Sequence, residues 1–252
     1  MQSLWSRAMD EAGASMAEVT HPLQSFKENS ALAVELAARI AQDLTAAMAR
    51  KGTATLAVSG GTTPVALFQA LSHQTLNWPK VSVTQVDERW LAEDHPDSNA
   101  GLIRQHLLQN SATSAQFISM KNHEDSPFLA QQTVSEKLSA FAGHIDVLVL
   151  GMGEDGHTAS FFPGAASLPQ ALDPQGDNLC IAVTPPSAPH DRMTLGLPAV
   201  LKARHCYLHI VGEKKLAVLE RAYEEGALED LPIRAVLRAT PSPLEIYYAQ
   251  RN

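Results

Sequence analysis

Cysteine is scarce in this chain: Cys180 and Cys206 are the only two among 252 residues, and they stand at no metal-ligating spacing. That excludes a disulfide framework and a compact cysteine metal knuckle, leaves a single disulfide open, and suits a reducing compartment. Positive charge is also in short supply, with 19 Lys and Arg against 27 Asp and Glu, a formal net charge of −8. Nucleic-acid surfaces bind largely through cations set on phosphates, so this balance argues against one. A small anion held by a few local cations remains compatible with it. Long apolar runs are missing too, none approaching the roughly 18 residues of a membrane span. The opening stretch "MQSLWSRAMDEAGASMAEV" carries acids and lacks the apolar core of a secretory signal. The expected setting is cytoplasmic, with neither membrane nor nucleic acid as partner.

What the chain does have is a 45% hydrophobic fraction, cut into short segments of two kinds. Residues 29–50 repeat apolar positions every three or four residues, which predicts a long amphipathic helix capped by Asn29 or Ser30 and closed near Gly52. Similar patterns predict helices over 63–71, with Pro64 in the first turn, and over 98–108, 126–141 and 213–226. Between them lie compact apolar runs at 54–60, 81–90, 145–153, 179–186, 205–212 and 244–250, read as strands. Strands alternating with helices, and strands apolar on both faces, predict an α/β fold: a Rossmann-like open sheet, largely parallel, with helices on both faces, in one domain.

Such sheets bind ligands beyond the carboxyl ends of their strands. That rule gathers "SGGTTP", "DERW", "GMGEDGH", "TPPSAPHDR" and "VGEKK" on one rim. In the first, Ser59, Gly60, Gly61 and Thr62 join a strand to a helix; glycines admit close backbone approach, and helix-start amides attract an anion. The same residues also describe an ordinary turn with a threonine cap. Asp87, Glu88 and Arg89 combine acids that can orient sugar hydroxyls with a guanidinium that can fork onto phosphate, or form a simple strand-end ion pair. Lys214 and Lys215 occupy the first turn of a helix, where cations oppose the helix dipole unless an anion is bound.

The densest chemistry is "LVLGMGEDGHTASFFPG" over 148–164. Gly151, Gly153 and Gly156 make a sharp turn, and Asp155 and His157 fall close enough to share one space. A histidine is the natural general base at neutral pH, and a carboxylate beside it can orient the ring. The ligand sets of a calcium loop and of a zinc site are missing, as is the G-x-S-x-G of a serine nucleophile elbow. The residues by themselves point to a sugar phosphate and a histidine base.

Taken in order, "LAVSGGTTP", "VDERW" with "HPDSN", "GMGEDGHTASFFPG", "RMTLGLP" and "VGEKK" resemble the 6-phosphogluconolactonase/glucosamine-6-phosphate isomerase family. The resemblance runs from about residue 20 to the C-terminus, so residues 1–18 read as an extension and 19–252 as the domain. It implies hydrolysis of a sugar-phosphate lactone in the oxidative pentose phosphate pathway, with no metal or organic cofactor required because a lactone is already an activated ester. His157 would be the base, oriented by Asp155. The Gly60–Gly61–Thr62 turn, Arg89 and one of Lys214 and Lys215 would hold phosphate, and Arg192 would contact phosphate or order the site. The deaminase relatives follow their Asp-Gly-His turn with a carboxylate in a pattern like "AFNEP"; here the run is "ASFFPG", without an acid. An amino-sugar-phosphate isomerase or deaminase, and a non-catalytic sugar-phosphate sensor, are the competing readings. A monomer or a small homo-oligomer suits either case.

Overall fold

The computed structural model describes residues 21–239 and 244–251, so the expected extension over 1–18 lies outside the described residues. The first half runs β1 (Leu23–Glu28), α1 (Asn29–Lys51), β2 (Ala54–Val58), α2 (Val65–Ser72), β3 (Val81–Gln85), β4 (Asp87–Arg89), α3 (Asn99–His106), β5 (Gln116–Phe117) and α4 (Pro127–Lys137). The second half runs β6 (Val147–Leu150), α5 (Leu168–Ala171), β7 (Cys180–Val183), β8 (Arg192–Leu195), α6 (Leu197–Leu201), β9 (His205–Val211), α7 (Glu213–Tyr223), α8 (Ile233–Ala239) and β10 (Leu244–Arg251).

Seven strands form one sheet in the order β1-β10-β9-β6-β2-β3-β5, and every pairing in it is parallel. Its central strands are buried on both faces, as their unbroken apolar runs require. In β2, Leu56 and Val58 pack into the core beneath α1 and α2, while Ala57 faces the core beneath α4 and α8. In β6, Val147 and Val149 join the first core, and Leu148 and Leu150 the second. The largely parallel sheet with helices on both faces is as expected.

Several features differ from expectation, strands β5 and β8 and helices α5, α6 and α8 being absent from it. Strand β1 was not legible, because "LQSFKE" is mostly exposed and edges the sheet. The run 81–90 breaks after Gln85: β4 turns away to pair antiparallel with β8, which pairs antiparallel with β7 in a separate three-stranded sheet. Helix α1 ends at Gly52 in the left-handed conformation, as predicted, but its N-cap is Glu28 without a side-chain bond. Asn29 does not cap the helix because its side chain is used elsewhere: its Nδ2 donates to the Thr63 carbonyl at 3.3 Å.

Two relationships set the register beneath the site. At the amino ends of β2 and β6, Asp146 Oδ2 accepts the Thr55 backbone N–H at 2.8 Å and its hydroxyl at 2.9 Å. Lys51 closes the cluster from the end of α1, with Nζ 2.8 Å from the same oxygen. At the carboxyl ends, chain direction diverges: β2 leads toward β3 on one side, β6 toward β9 on the other. Such a switch point opens a crevice in a parallel sheet.

Candidate active site

A cavity of about 250 Å³ occupies that crevice, lined by the loop after β2, the loop after β6, and residues from β4, β9 and α7. Ser59, Gly60, Gly61 and Thr62 form its floor on one side. The two loops are stitched together, since Ser59 donates its backbone N–H to Val149 O at 3.0 Å and Gly151 N–H donates to Ser59 Oγ at 3.2 Å. Gly61 sits at φ +87°, a conformation that favours glycine. At Gly60 the constraint is space instead, because a Cβ would fall 1.8 Å from Asn99 Oδ1.

The loop after β6 folds back on itself. Gly153 N–H donates to His157 O at 2.9 Å, and Gly156 N–H to Gly153 O at 3.1 Å. This turn brings His157 Nδ1 to 2.5 Å from Asp155 Oδ1, which also accepts the His157 backbone N–H at 3.1 Å. A Cβ on Gly153 would stand 2.2 Å from His157 Nδ1 and 2.6 Å from Asp155 Oδ1, so only glycine permits the pair. Burial alone would raise the Asp155 carboxyl, but its bonds to the His157 ring and backbone outweigh that and hold it below the ordinary range. With Nδ1–H directed at a carboxylate, the ring's lone pair lies on Nε2, which bonds to no described residue. Phe162 packs on the imidazole, ring centroids 4.5 Å apart.

The "DERW" residues part company. Asp87 and Arg89 line the cavity. Asp87 Oδ2 accepts from Ser160 Oγ at 2.7 Å, and Arg89 Nη1 donates to the Asp97 carbonyl at 2.5 Å. Glu88 does not line it, which corrects its expected place among hydroxyl-orienting acids. Its carboxylate is fully buried, and Oε1 accepts the backbone N–H groups of Arg89 and Asn99 at 2.8 Å each. Oε2 accepts from Ala100 N–H at 2.6 Å and Gln85 Nε2 at 2.9 Å. Glu88 therefore satisfies the start of α3, where unpaired amides favour an anion. Burial raises its pKa, and these bonds pull the other way.

Arg192 also stands back from the cavity. It lies on β8, only 4% exposed, with its guanidinium carbon 5.9 Å from the Phe162 ring centroid. Burial lowers its pKa, the neighbouring Asp87 opposing and Arg89 reinforcing that shift. Arg192 Nη1 is buried with no hydrogen-bond partner among the described residues. The lysine pair divides as well. Lys214 is exposed, with Nζ 3.8 Å from Glu154 Oε2, whereas Lys215 is half-buried and lines the cavity. Burial lowers the Lys215 pKa, with Glu154 opposing.

Two cavity residues escaped the sequence reading. Asn99 falls within the helix expected over 98–108; its Nδ2 donates to the Asp87 carbonyl at 2.8 Å and its Oδ1 packs on Gly60. His209 was hidden in an apolar strand, "HCYLHIV", and is 2% exposed. A lone histidine near the carboxyl end of a buried parallel strand was the signal available.

Similarity to known proteins runs along most of the chain. Residues 27–244 match the family model described as glucosamine-6-phosphate isomerases/6-phosphogluconolactonase. A 6-phosphogluconolactonase of Mesorhizobium japonicum is 45% identical over 225 residues, spanning 89% of this chain and 94% of that protein. One from Pseudomonas aeruginosa is 45% identical over 213 residues, spanning 84% and 88%. The crystal structure of a 6-phosphogluconolactonase from Shewanella baltica superposes with a TM-score of 0.89 at 43% identity, covering 92% of this chain and 98% of that one. On a match of this extent, the chain belongs to the glucosamine-6-phosphate isomerase/6-phosphogluconolactonase family.

Proposed function

We propose that this protein hydrolyses 6-phospho-D-glucono-1,5-lactone to 6-phospho-D-gluconate, as a cytoplasmic enzyme of the oxidative pentose phosphate pathway. The observation that carries the reading is the shared cavity: His157, its Nδ1 bonded to Asp155, lines the same space as the glycine turn, Arg89 and Lys215. Phosphate is held by the Gly60–Thr62 amides and hydroxyl, with Arg89 and Lys215 supplying charge. His157 Nε2 takes a proton from water as its oxygen attacks the lactone carbonyl, and Asp155 stabilises the imidazolium that forms. Backbone amides or a cation at the rim meet the oxyanion. The tetrahedral intermediate then collapses, the ring C–O bond breaks, and the imidazolium returns its proton to the departing oxygen. One water is consumed and one carboxylic acid is produced.

No carboxylate follows His157 in "TASFFPG", and Phe162 covers the ring instead. That favours a single-base hydrolysis over the proton shuttling that isomerisation or deamination needs. The test is the hydrolysis rate of freshly generated 6-phosphogluconolactone, with the spontaneous rate subtracted. Rapid turnover is expected. Release of ammonia from glucosamine 6-phosphate without lactone turnover would establish the deaminase reading instead, and binding with neither reaction would establish a sensor.

A further inference from the structure

Lys215 is the cation most directly available to an anion in the cavity, yet among the described residues no neutral group is bonded to its ammonium to aim it. His209 stands beside it with an unused buried atom. Its Nε2 lies 2.8 Å from Asn29 Oδ1, and its Nδ1 is buried with no hydrogen-bond partner among the described residues. The protonation of this ring follows from its neighbours. The Thr63 carbonyl can only accept, so the Asn29 atom 3.3 Å from it is the amide nitrogen, and Oδ1 faces His209. An amide oxygen can only accept, so Nε2 carries the proton. The lone pair is therefore on Nδ1. Burial, with Lys215 adding to it, pushes the His209 pKa down to about 4, so the ring stays neutral near pH 7.

We infer that His209 is a positioning residue for Lys215: its Nδ1 accepts a hydrogen bond from the Lys215 ammonium when an anion occupies the cavity, and the Asn29 bridge ties that lysine to the Thr63 end of the glycine turn. The assignment rests on the sugar-phosphate reading of the cavity, and it explains why a histidine suits this buried strand position. A carboxylate here would orient the ammonium but cancel its charge. A neutral acceptor orients it and leaves the full charge for the ligand. It also gives the buried Nδ1 a partner, which a desolvated acceptor needs. Through Thr63, Asn29 and His209, the two parts of the anion grip, backbone turn and lysine, are set as one unit.

The test is a double-mutant cycle on binding. His209→Phe, of similar size, removes the Nδ1 acceptor and supplies no other; His209→Leu serves if the phenylalanine variant does not fold by its melting curve. Titration calorimetry with 6-phosphogluconate and, separately, inorganic phosphate is carried out on wild type, the His209 variant, Lys215→Ala and the double variant. The His209 change is expected to raise both dissociation constants about five- to tenfold with kcat within about twofold. It is expected to add nothing once Lys215 is gone. Losses that simply add, or wild-type affinity in the His209 variant, would overturn the inference. If wild type binds phosphate but not 6-phosphogluconate, the proposed substrate is wrong, and the cycle read with phosphate still decides the role of His209.

Discussion

Asp155 and His157 meet side chain to side chain at 2.5 Å across one intervening glycine, and the turn that joins them tolerates no Cβ at Gly153. The proposed base and its proposed orienting acid are thus one local unit, needing only the short segment 153–157 to be correctly folded. Replacing His157 with Ala is expected to lower lactonase kcat by about 10²- to 10⁴-fold, the usual worth of a positioned general base. Affinity for 6-phosphogluconate should change little, since the proposed phosphate grip lies on other elements. Stopped-assay kinetics beside calorimetry on the same preparation checks both halves. Near wild-type turnover in a well-folded variant would remove His157 from the mechanism.

The two lysines provide an internal control. Lys215→Ala is expected to raise KM by about tenfold or more, in keeping with a charge-assisted contact to phosphate. Lys214→Ala, altering an exposed residue near Glu154, should leave KM within about twofold. Reversal of that order would place Lys214 in the site.

Gly60 and Gly61 are neighbours with different constraints. Gly60→Ala puts a Cβ 1.8 Å from Asn99 Oδ1, so Asn99 must move and release the Asp87 carbonyl. Activity should fall by more than tenfold, since small misplacements of positioning groups are costly. Gly61→Ala meets nothing within 4 Å but forces a side chain to adopt φ +87°. About 1–2 kcal/mol of stability is the expected loss there, read as a lower melting temperature with milder kinetic damage.

His209 makes stability depend on pH in a defined direction. Its folded pKa is about 4, against about 6.5 in an unfolded chain. Between those values the unfolded chain binds more protons than the folded one. The full contribution is therefore present above about pH 6.5 and is lost as pH falls toward about 4, amounting to about 3 kcal/mol. Burial lowers the His21 pKa as well and acts in the same sense. The informative comparison is thus wild type against His209→Gln, whose melting temperature should fall less steeply on acidification. Parallel curves would show that His209 does not exclude its proton in the folded state.

Much of this was legible in the sequence, for reasons that can be located. The buried central strands advertise themselves because both faces are apolar, and Gly52 marks a helix end because only glycine adopts φ 82° there without strain. The glycine turn and the Asp155–His157 turn were legible because their chemistry is local, contained within a few residues. Glu88, Asn29 and His209 were misread or missed because their roles are set by partners far along the chain, 11, 34 and 180 residues away for the bonds to Asn99, Thr63 and Asn29. The run 81–90 looked continuous because a strand that changes sheets at Val86 keeps the composition of a strand throughout.

The glycine turn of the proposed grip and the proposed base follow adjacent strands, so their separation is set by the register of β2 against β6. The carboxylate of Asp146 fixes that register at the opposite end, about four residues or roughly 13 Å from the loops. Both loops therefore inherit their alignment from a lock they do not touch. A change at Asp146 or Thr55 that let one strand slide would be felt as a mismatch between the glycine turn and the Asp155–His157 turn, with no residue lining the cavity itself altered.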